Sequence, residues 1–359
     1  MSAIPSWLRS PRALLVVLLV VMLSTVVFAA STSTAAFGAY NAAWDGSSQL
    51  QEQAAAVDTQ SQIALNTSVY ETTTPDGTVA VILTPDRAYT PQEVARVRAF
   101  VNDGGTLVVA EDFGQYSNPL LDALGVNTSV DGRLLRDERY YYQSPNITVA
   151  TDVEQSQLTT GVDQLTLNHG TALVANTSEE SETEILVNSS SFAYFDENRN
   201  AAFDENETIG PRPVATAEPV GAGRVIVIAD PSMMINAMLE RPGNQQFVRN
   251  VFADHDRVVL DYSHNEALPP LSQAIILIRD SGPLQAILGL VGVAAVAVAS
   301  RQRGLVRAVR GTSGQEDADA DPAEIEDLVA YLRHEHPEWD EDRLERVARS
   351  RRQNGRSEE

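Results

Sequence analysis

Residues 78–112 read "TVAVILTPDRAYTPQEVARVRAFVNDGGTLVVAED", and this stretch decides the fold. "TVAVILTPD" (78–86) is an apolar run of strand length that stops at Pro85–Asp86, as a strand buried on both faces should. "TPQEVARVRAFVNDGG" (90–105) then changes to helical period. Thr90 stands at the N-cap and Pro91 at the first helical position. Val94, Val97, Phe100 and Val101 share one face, and Gly104 or Gly105 ends the helix in the left-handed region. "TLVVAED" (106–112) is a second buried strand and "SNPLLDALGV" (117–126) a second helix. Strand, helix, strand and helix at this spacing require a parallel sheet with right-handed crossovers.

Outward from that core, the α/β signal returns at "GRVIVIADPSMMINAML" (223–239), a strand running into a helix, and at the amphipathic "NQQFVRNVFADH" (244–255). Between them, residues 127–220 break into short β-like pieces separated by turn residues, which predicts an antiparallel insertion or edge region. Upstream, 31–62 is small and polar. It holds one short helix, "SSQLQEQAAAVD", in which Ser48 and Gln51 fit a capping box.

The 359-residue chain carries a net charge of −23, no cysteine and no lysine, so all 26 of its basic residues are arginine. Apolar content is ordinary at 43%. Such composition suits a folded protein in concentrated salt, where screening shortens the range of self-repulsion. It excludes disulfides and thiolate chemistry, and it leaves no basic stripe for nucleic acid.

Residues 13–30, "ALLVVLLVVMLSTVVFAA", follow Arg9 and Arg12. Residues 283–300, "PLQAILGLVGVAAVAVAS", precede Arg301, Arg303, Arg307 and Arg310. Each run is near the lower limit for crossing a bilayer, and arginine flanks the outer end of each. The expectation is therefore two transmembrane helices. The first is a retained anchor or a cleaved signal peptide, and a buried core helix is the alternative for either run. Residues 31–280 would lie outside the cell, with 1–12 and 301–359 in the cytoplasm. Asn66, Asn127, Asn146, Asn176, Asn188 and Asn206 begin sequons in the exterior part. In the tail, Ile325, Leu328, Val329 and Leu332 form one stripe, and a second helix (340–352) offers Leu344 and Val347. The pair docks on a cytoplasmic partner or folds as a small hairpin.

Two clusters could carry chemistry. In "FDENRNAAFDENE" (195–207), Asp196, Asn198, Asn200, Ala202, Asp204 and Glu207 fall at positions 1, 3, 5, 7, 9 and 12 of a calcium loop. Ala202 would contribute its carbonyl, and Glu207 would close the site. Ala201 stands where that pattern wants glycine. The alternatives are solvated acidic surface, or magnesium. The second cluster is Asp86, Glu111, Asp112, Asp230 and Ser232, all just past the carboxyl ends of predicted strands. Ligands bind open α/β sheets at that edge, although turn and helix-cap roles explain the same residues. His169, His255 and His264 lack the spacing of a metal-binding pair, and His264 in "LDYSHNEALPP" reads as a turn or contact residue.

The strings "YTPQEVARVRAFVNDGGTLVVAEDFG" (89–114), "PVGAGRVIVIADPSMMINAML" (219–239) and "LDYSHNEALPPL" (260–271) resemble the family called domain of unknown function 4350 over roughly 40–270. That family sits in the class I glutamine amidotransferase-like group. The resemblance implies a flavodoxin- or amidotransferase-like parallel sheet. Amidotransferase catalysis needs a cysteine, so that chemistry cannot be carried to any residue here. The combined expectation is a membrane-anchored, non-catalytic binding or assembly protein of the cell envelope, contacting the lipid bilayer and an envelope partner, with a structural calcium loop. A metal-assisted hydrolase working with the sheet-edge carboxylates, or an accessory transport subunit, is the alternative.

Overall fold

The computed structural model describes residues 21–22, 35–176, 182–265, 278, 281–287, 289–290 and 322–355. The strands among them begin with β1 (Gln60–Ala64), β2 (Thr78–Leu83) and β3 (Thr106–Ala110). Then come β4 (Thr128–Val130), β5 (Leu134–Asp137), β6 (Tyr141–Tyr142), β7 (Ser144–Ala150) and β8 (Asp152–Val153). The next are β9 (Leu165–Thr166), β10 (Leu173–Ala175), β11 (Glu184–Asn188) and β12 (Ala193–Asp196). The last are β13 (Pro213–Val220), β14 (Gly223–Ile228) and β15 (Arg257–Asp261). The helices are α1 (Gln49–Ala55), α2 (Val69–Thr72), α3 (Pro91–Asn102) and α4 (Ser117–Leu124). They continue with α5 (Asn236–Leu239), α6 (Pro242–Ala253), α7 (Pro322–Glu335) and α8 (Glu341–Gly355).

One eight-stranded sheet organises residues 60–261, in the order β1-β15-β2-β3-β14-β13-β11-β8. The pairs from β1 to β14 are parallel, and those from β14 to β8 are antiparallel. β2 is buried at every residue, and β3, β14 and β15 are buried beyond their first residue or two. Such runs need cover on both faces, which the helices supply. Numbered along the chain, the parallel strands run first-fifth-second-third-fourth, not the second-first-third-fourth-fifth of flavodoxin. The last strand enters between the first two.

α3 is built as its sequence predicts. The Thr90 hydroxyl accepts from Glu93 N, and Glu93 Oε2 accepts from Thr90 N at 2.8 Å, a complete capping box. Val97, Phe100 and Val101 are buried, while Val94 is half-buried. The chain leaves the helix through Gly104 at φ +110°, and a Cβ on Gly105 would run into the Phe100 ring.

Several expectations are corrected. Ser48 does not cap α1 with its side chain, because its backbone is already helical; Gln49 N instead donates to Asn236 Oδ1 at 3.0 Å. β1 escapes sequence reading because "QSQIA" is largely exposed along its length. β15 escapes because its five residues follow a helix almost directly. The two expected transmembrane helices are also withdrawn: among the described residues, no helix is long and apolar enough to cross a membrane. Most of 13–30 and of 283–300 lies outside those residues. The membrane anchorage and the extracellular placement of 31–280 rested on those two helices and go with them.

Residues 277–359 form a separate compact unit. Within it α7 and α8 bury Val329, Leu332, Leu344 and Ala348 against each other, with Leu328, Trp339 and Val347 at the margin. The pair folds as a helical hairpin with a miniature core. The His336 ring stacks on Trp339 at 4.1 Å and Arg343 lies 4.8 Å from the Trp339 centroid, which together cover the turn.

Candidate functional site

The carboxyl edge of the parallel strands gathers most of the predicted polar residues and differs from an open catalytic cleft. Glu111 follows β3 and is fully buried. Its carboxylate accepts from Asp112 N and Gly114 N at 2.9 Å, from Ser117 Oγ at 3.0 Å and from Thr84 Oγ1 at 3.2 Å. It therefore folds the 111–117 turn around itself and positions the start of α4. Gly114 is required there, since a Cβ would meet the Glu111 carboxylate.

Asp230 follows β14, is also fully buried, and caps the 3-10 turn Pro231–Met234 by accepting from Ser232 N at 2.7 Å. Its other oxygen accepts from Asn168 N. That bond comes from the antiparallel region, whose segment 167–171 lies across the strand end: Thr171 N donates to Ala229 O at 3.0 Å, and a Cβ on Gly170 would strike Asp230. The insertion thus covers the edge where a ligand would enter. Burial raises Asp230 to about 7, against the pull of the Asn168 N–H and with help from the Asp112 charge. Burial also raises Asp112 to about 6, with Glu111 adding to it. Asp112 therefore feels the charge of Glu111, and Asp230 feels that of Asp112. Ser232 serves the cap, its backbone N–H and its hydroxyl both favouring the Asp230 carboxylate. Asp86 is exposed, and its N–H donates to His264 O at 2.7 Å.

A constellation that sequence reading passed over lies at the ends of β15 and β2. Ser263 Oγ sits 2.8 Å from His264 Nδ1, and His264 Nε2 is 3.4 Å from Glu93 Oε2. The imidazole stacks on Tyr89 with centroids 3.6 Å apart. Asp261 accepts from Tyr70 OH and Ser263 N, each at 2.7 Å. Serine, histidine and carboxylate in this order are the parts of a nucleophilic triad. Here Ser263 and His264 are each 2% exposed, so no substrate reaches the hydroxyl. Burial lowers the His264 pKa and favours the neutral ring. The cluster latches the chain after β15 over the top of β2, a role Asn265 extends by donating to Leu83 O and Thr84 O. The signal in sequence was the dense polar string "DYSHN" directly after a buried strand.

The loop after β12 links all five expected calcium-loop side chains through hydrogen bonds. Asp196 is 1% exposed and accepts from Asn200 N and Ala201 N, each at 3.0 Å. Glu207 accepts from Glu197 N and Asp204 N, each at 3.0 Å. Asn198 and Asn200 both donate to Asp204 Oδ2, at 2.7 and 2.9 Å. Arg199 and Ala201 take φ of +55° and +64°, so the turn that glycine would make easily is made here by alanine. Phe203 packs edge-on against Tyr194 at 5.2 Å, and Arg199 lies 5.0 Å from the Phe113 centroid beside the sheet edge. The donors are all oxygens, which suit a hard cation. The two Glu207 oxygens each take one N–H and keep a lone pair for a metal, whereas Asp204 Oδ2 takes two and Asp196 Oδ2 also faces the Arg136 guanidinium at 3.7 Å. Among the described residues, no group of three His, Asp or Glu side chains is drawn together closely enough to hold an ion.

A family model described as "Domain of unknown function (DUF4350)" matches residues 39–252. The chain belongs to the DUF4350 family. No curated protein matches it. Among solved structures it is similar to the N-terminal domain of mmIFT52, at 16% identity over 48% of this chain and 75% of that one, with a TM-score of 0.39. A ThuA-like protein from Bacteroides uniformis matches at 15% identity over 59% and 85%, TM-score 0.33. A cytoplasmic protein, STM1381, from Salmonella typhimurium matches at 12% identity over 58% and 86%, TM-score 0.34. These scores are too low to carry an argument about this DUF4350 chain.

Proposed function

We propose that this DUF4350 protein is a non-catalytic binding and assembly module whose 196–207 loop is closed by calcium. One observation carries the non-catalytic part. The carboxylates best placed for chemistry, Glu111 and Asp230, are fully buried and hold the protein's own backbone N–H groups. In the loop, Asp196, Asn198, Asn200, Asp204, Glu207 and the Ala202 carbonyl would hold the ion. Bound calcium would supply cohesion to a turn that otherwise closes through amide-to-carboxylate bonds. A salt-accumulating source is supported by the lysine-free charge of −23.

The test is thermal unfolding of the whole chain in high salt, with and without millimolar calcium. Calcium should raise the unfolding temperature of the wild type and leave an Asp196→Ala, Glu207→Ala double variant unmoved. An unmoved wild type, or an equal shift in both, ends the calcium reading. A metal-assisted hydrolase is the second reading, favoured by Asp112, which is only partly covered and is raised to about 6. A panel of chromogenic esters, phosphoesters and glycosides tests it: turnover that disappears in Asp112→Asn without loss of fold would support it.

A further inference from the structure

We propose that the groove beside the β6–β7 hairpin binds an acidic sugar, a uronate unit or short oligouronide, through tyrosine faces and two arginines. This rests on the reading of the chain as a binding module and not on the calcium loop.

The hairpin begins within "DERYYY" (137–142), whose last two tyrosines are β6. Tyr140, Tyr141 and Tyr142 are 37%, 45% and 37% exposed, a concentration of aromatic surface that burial would normally remove. Their placement is fixed from both sides. The buried Asp137 carboxylate accepts from Arg139 N and Tyr140 N, each at 2.8 Å, and from Ser190 Oγ. On the other side Gln143 turns the hairpin at φ +63°, next to a register shift between Tyr141 and Tyr142. A non-glycine residue held in that region is the kind of local strain that clusters at binding sites.

The groove these residues line, closed by Arg241 and Pro242 at the start of α6, measures about 420 Å³, within the range of small-molecule sites. The Arg241 guanidinium lies 4.4 Å from the Tyr142 centroid, and that of Arg139 lies 4.4 Å from Phe192 and 5.6 Å from Tyr140. Among the described residues neither arginine has a carboxylate within ion-pair distance. In a chain with 49 acidic and 26 basic residues, two such cations on one groove are a local reversal of charge. The overall charge repels an anion only over the screening length, about 8 Å at physiological salt, so contacts inside the groove decide binding.

The remaining lining selects among anions. Thr151, Gln164 and Thr166 add hydroxyl and amide groups to the tyrosine hydroxyls, a donor–acceptor set matched to a polyol. A pyranose also offers a C–H face for the negative face of an aromatic ring, and its carboxylate can take a guanidinium in bidentate fashion. An acidic peptide would need a strand edge for its main chain, and β6 is only two residues long and irregular.

Isothermal titration of the whole chain with trigalacturonate, neutral galactotriose and triglutamate tests this. Trigalacturonate should bind and the other two should bind about tenfold more weakly or less. Arg241→Ala and Tyr142→Ala should each weaken trigalacturonate about tenfold, and Arg139→Gln should do so even if Arg241→Ala perturbs α6. All three should unfold at the wild-type temperature. No binding by the wild type, equal binding of galactotriose, or triglutamate binding as tightly would overturn the proposal. Reducing ends are measured in the same samples: cleavage of a bound trimer would remove the non-catalytic reading and leave this site standing. An absence of binding with the calcium shift intact would remove this inference alone.

Discussion

Ala201 makes a left-handed turn that costs an alanine roughly 1 kcal/mol, at the position where glycine would make it freely. Ala201→Gly should therefore raise stability by up to about 1 kcal/mol, the looser unfolded chain offsetting part of the gain; urea denaturation measures it, and a loss would show that loop packing governs the site. Glu111 is the opposite case, a buried acceptor serving four donors. Glu111→Ala should cost about 3 kcal/mol or more, because the N–H groups of Asp112 and Gly114 lose their partner inside the protein. The Asp112–Asp230 pair sets a pH dependence. Both carboxyls are raised in the folded state, to about 6 and about 7, so the native form holds protons that the unfolded chain has released. Their contribution is full below about pH 4 and is lost as pH rises through 7. Asp112→Asn keeps the acceptor for Phe113 N and removes the charge facing Asp230. It should move the Asp230 titration down and flatten the fall in stability between pH 4 and 7, as followed by carboxyl ¹³C shifts and denaturation. An Asp230 titration left where it is in the wild type would show that the two do not interact.

Among the elements, α3 shows how far local chemistry reaches. Thr90, Pro91 and Glu93 declare its start in sequence, and its apolar period declares its face. Thr90→Ala should cost about 1 kcal/mol in chemical denaturation through the lost cap. β2, β3 and β14 are equally legible, because their burial on both faces demands unbroken apolar runs. β1 is not, since a sheet's outer strand can be polar and still pair: Gln60 to Ala64 take their partners from residues 257–261. The predicted sheet-edge residues were legible as positions, because strand ends can be read from apolar runs. Their chemistry was not, because the covering segment 167–171 and the bonds it makes to Asp230 come from residues remote in sequence. The same distance hid the tyrosine groove, where β6 meets the start of α6 only after folding. Gly243 marks another such approach: its missing Cβ lets the Gln164 carbonyl come against the first turn of α6. Gly243→Ala should be strongly destabilising, by about 3 kcal/mol, even though alanine favours helix.

At the scale of the molecule, the α7–α8 hairpin has its own buried cluster and shares none of its residues with the core around the sheet. Removing 322–355 should leave the sheet unit's unfolding temperature unchanged, as calorimetry would show; a drop would reveal a dependence between the two. The strand order has a consequence for how the chain is made. β1 emerges from the ribosome early, yet its partner in the sheet is β15, almost two hundred residues later. Until that strand arrives, β2 also waits with one edge bare. A nascent or prematurely terminated chain thus presents β2, apolar at every residue after Thr78, to its surroundings, and the Ser263–His264–Asn265 latch cannot close over it. Synthesis of this fold ends on its keystone, and interrupted synthesis should yield a chaperone client instead of a smaller domain.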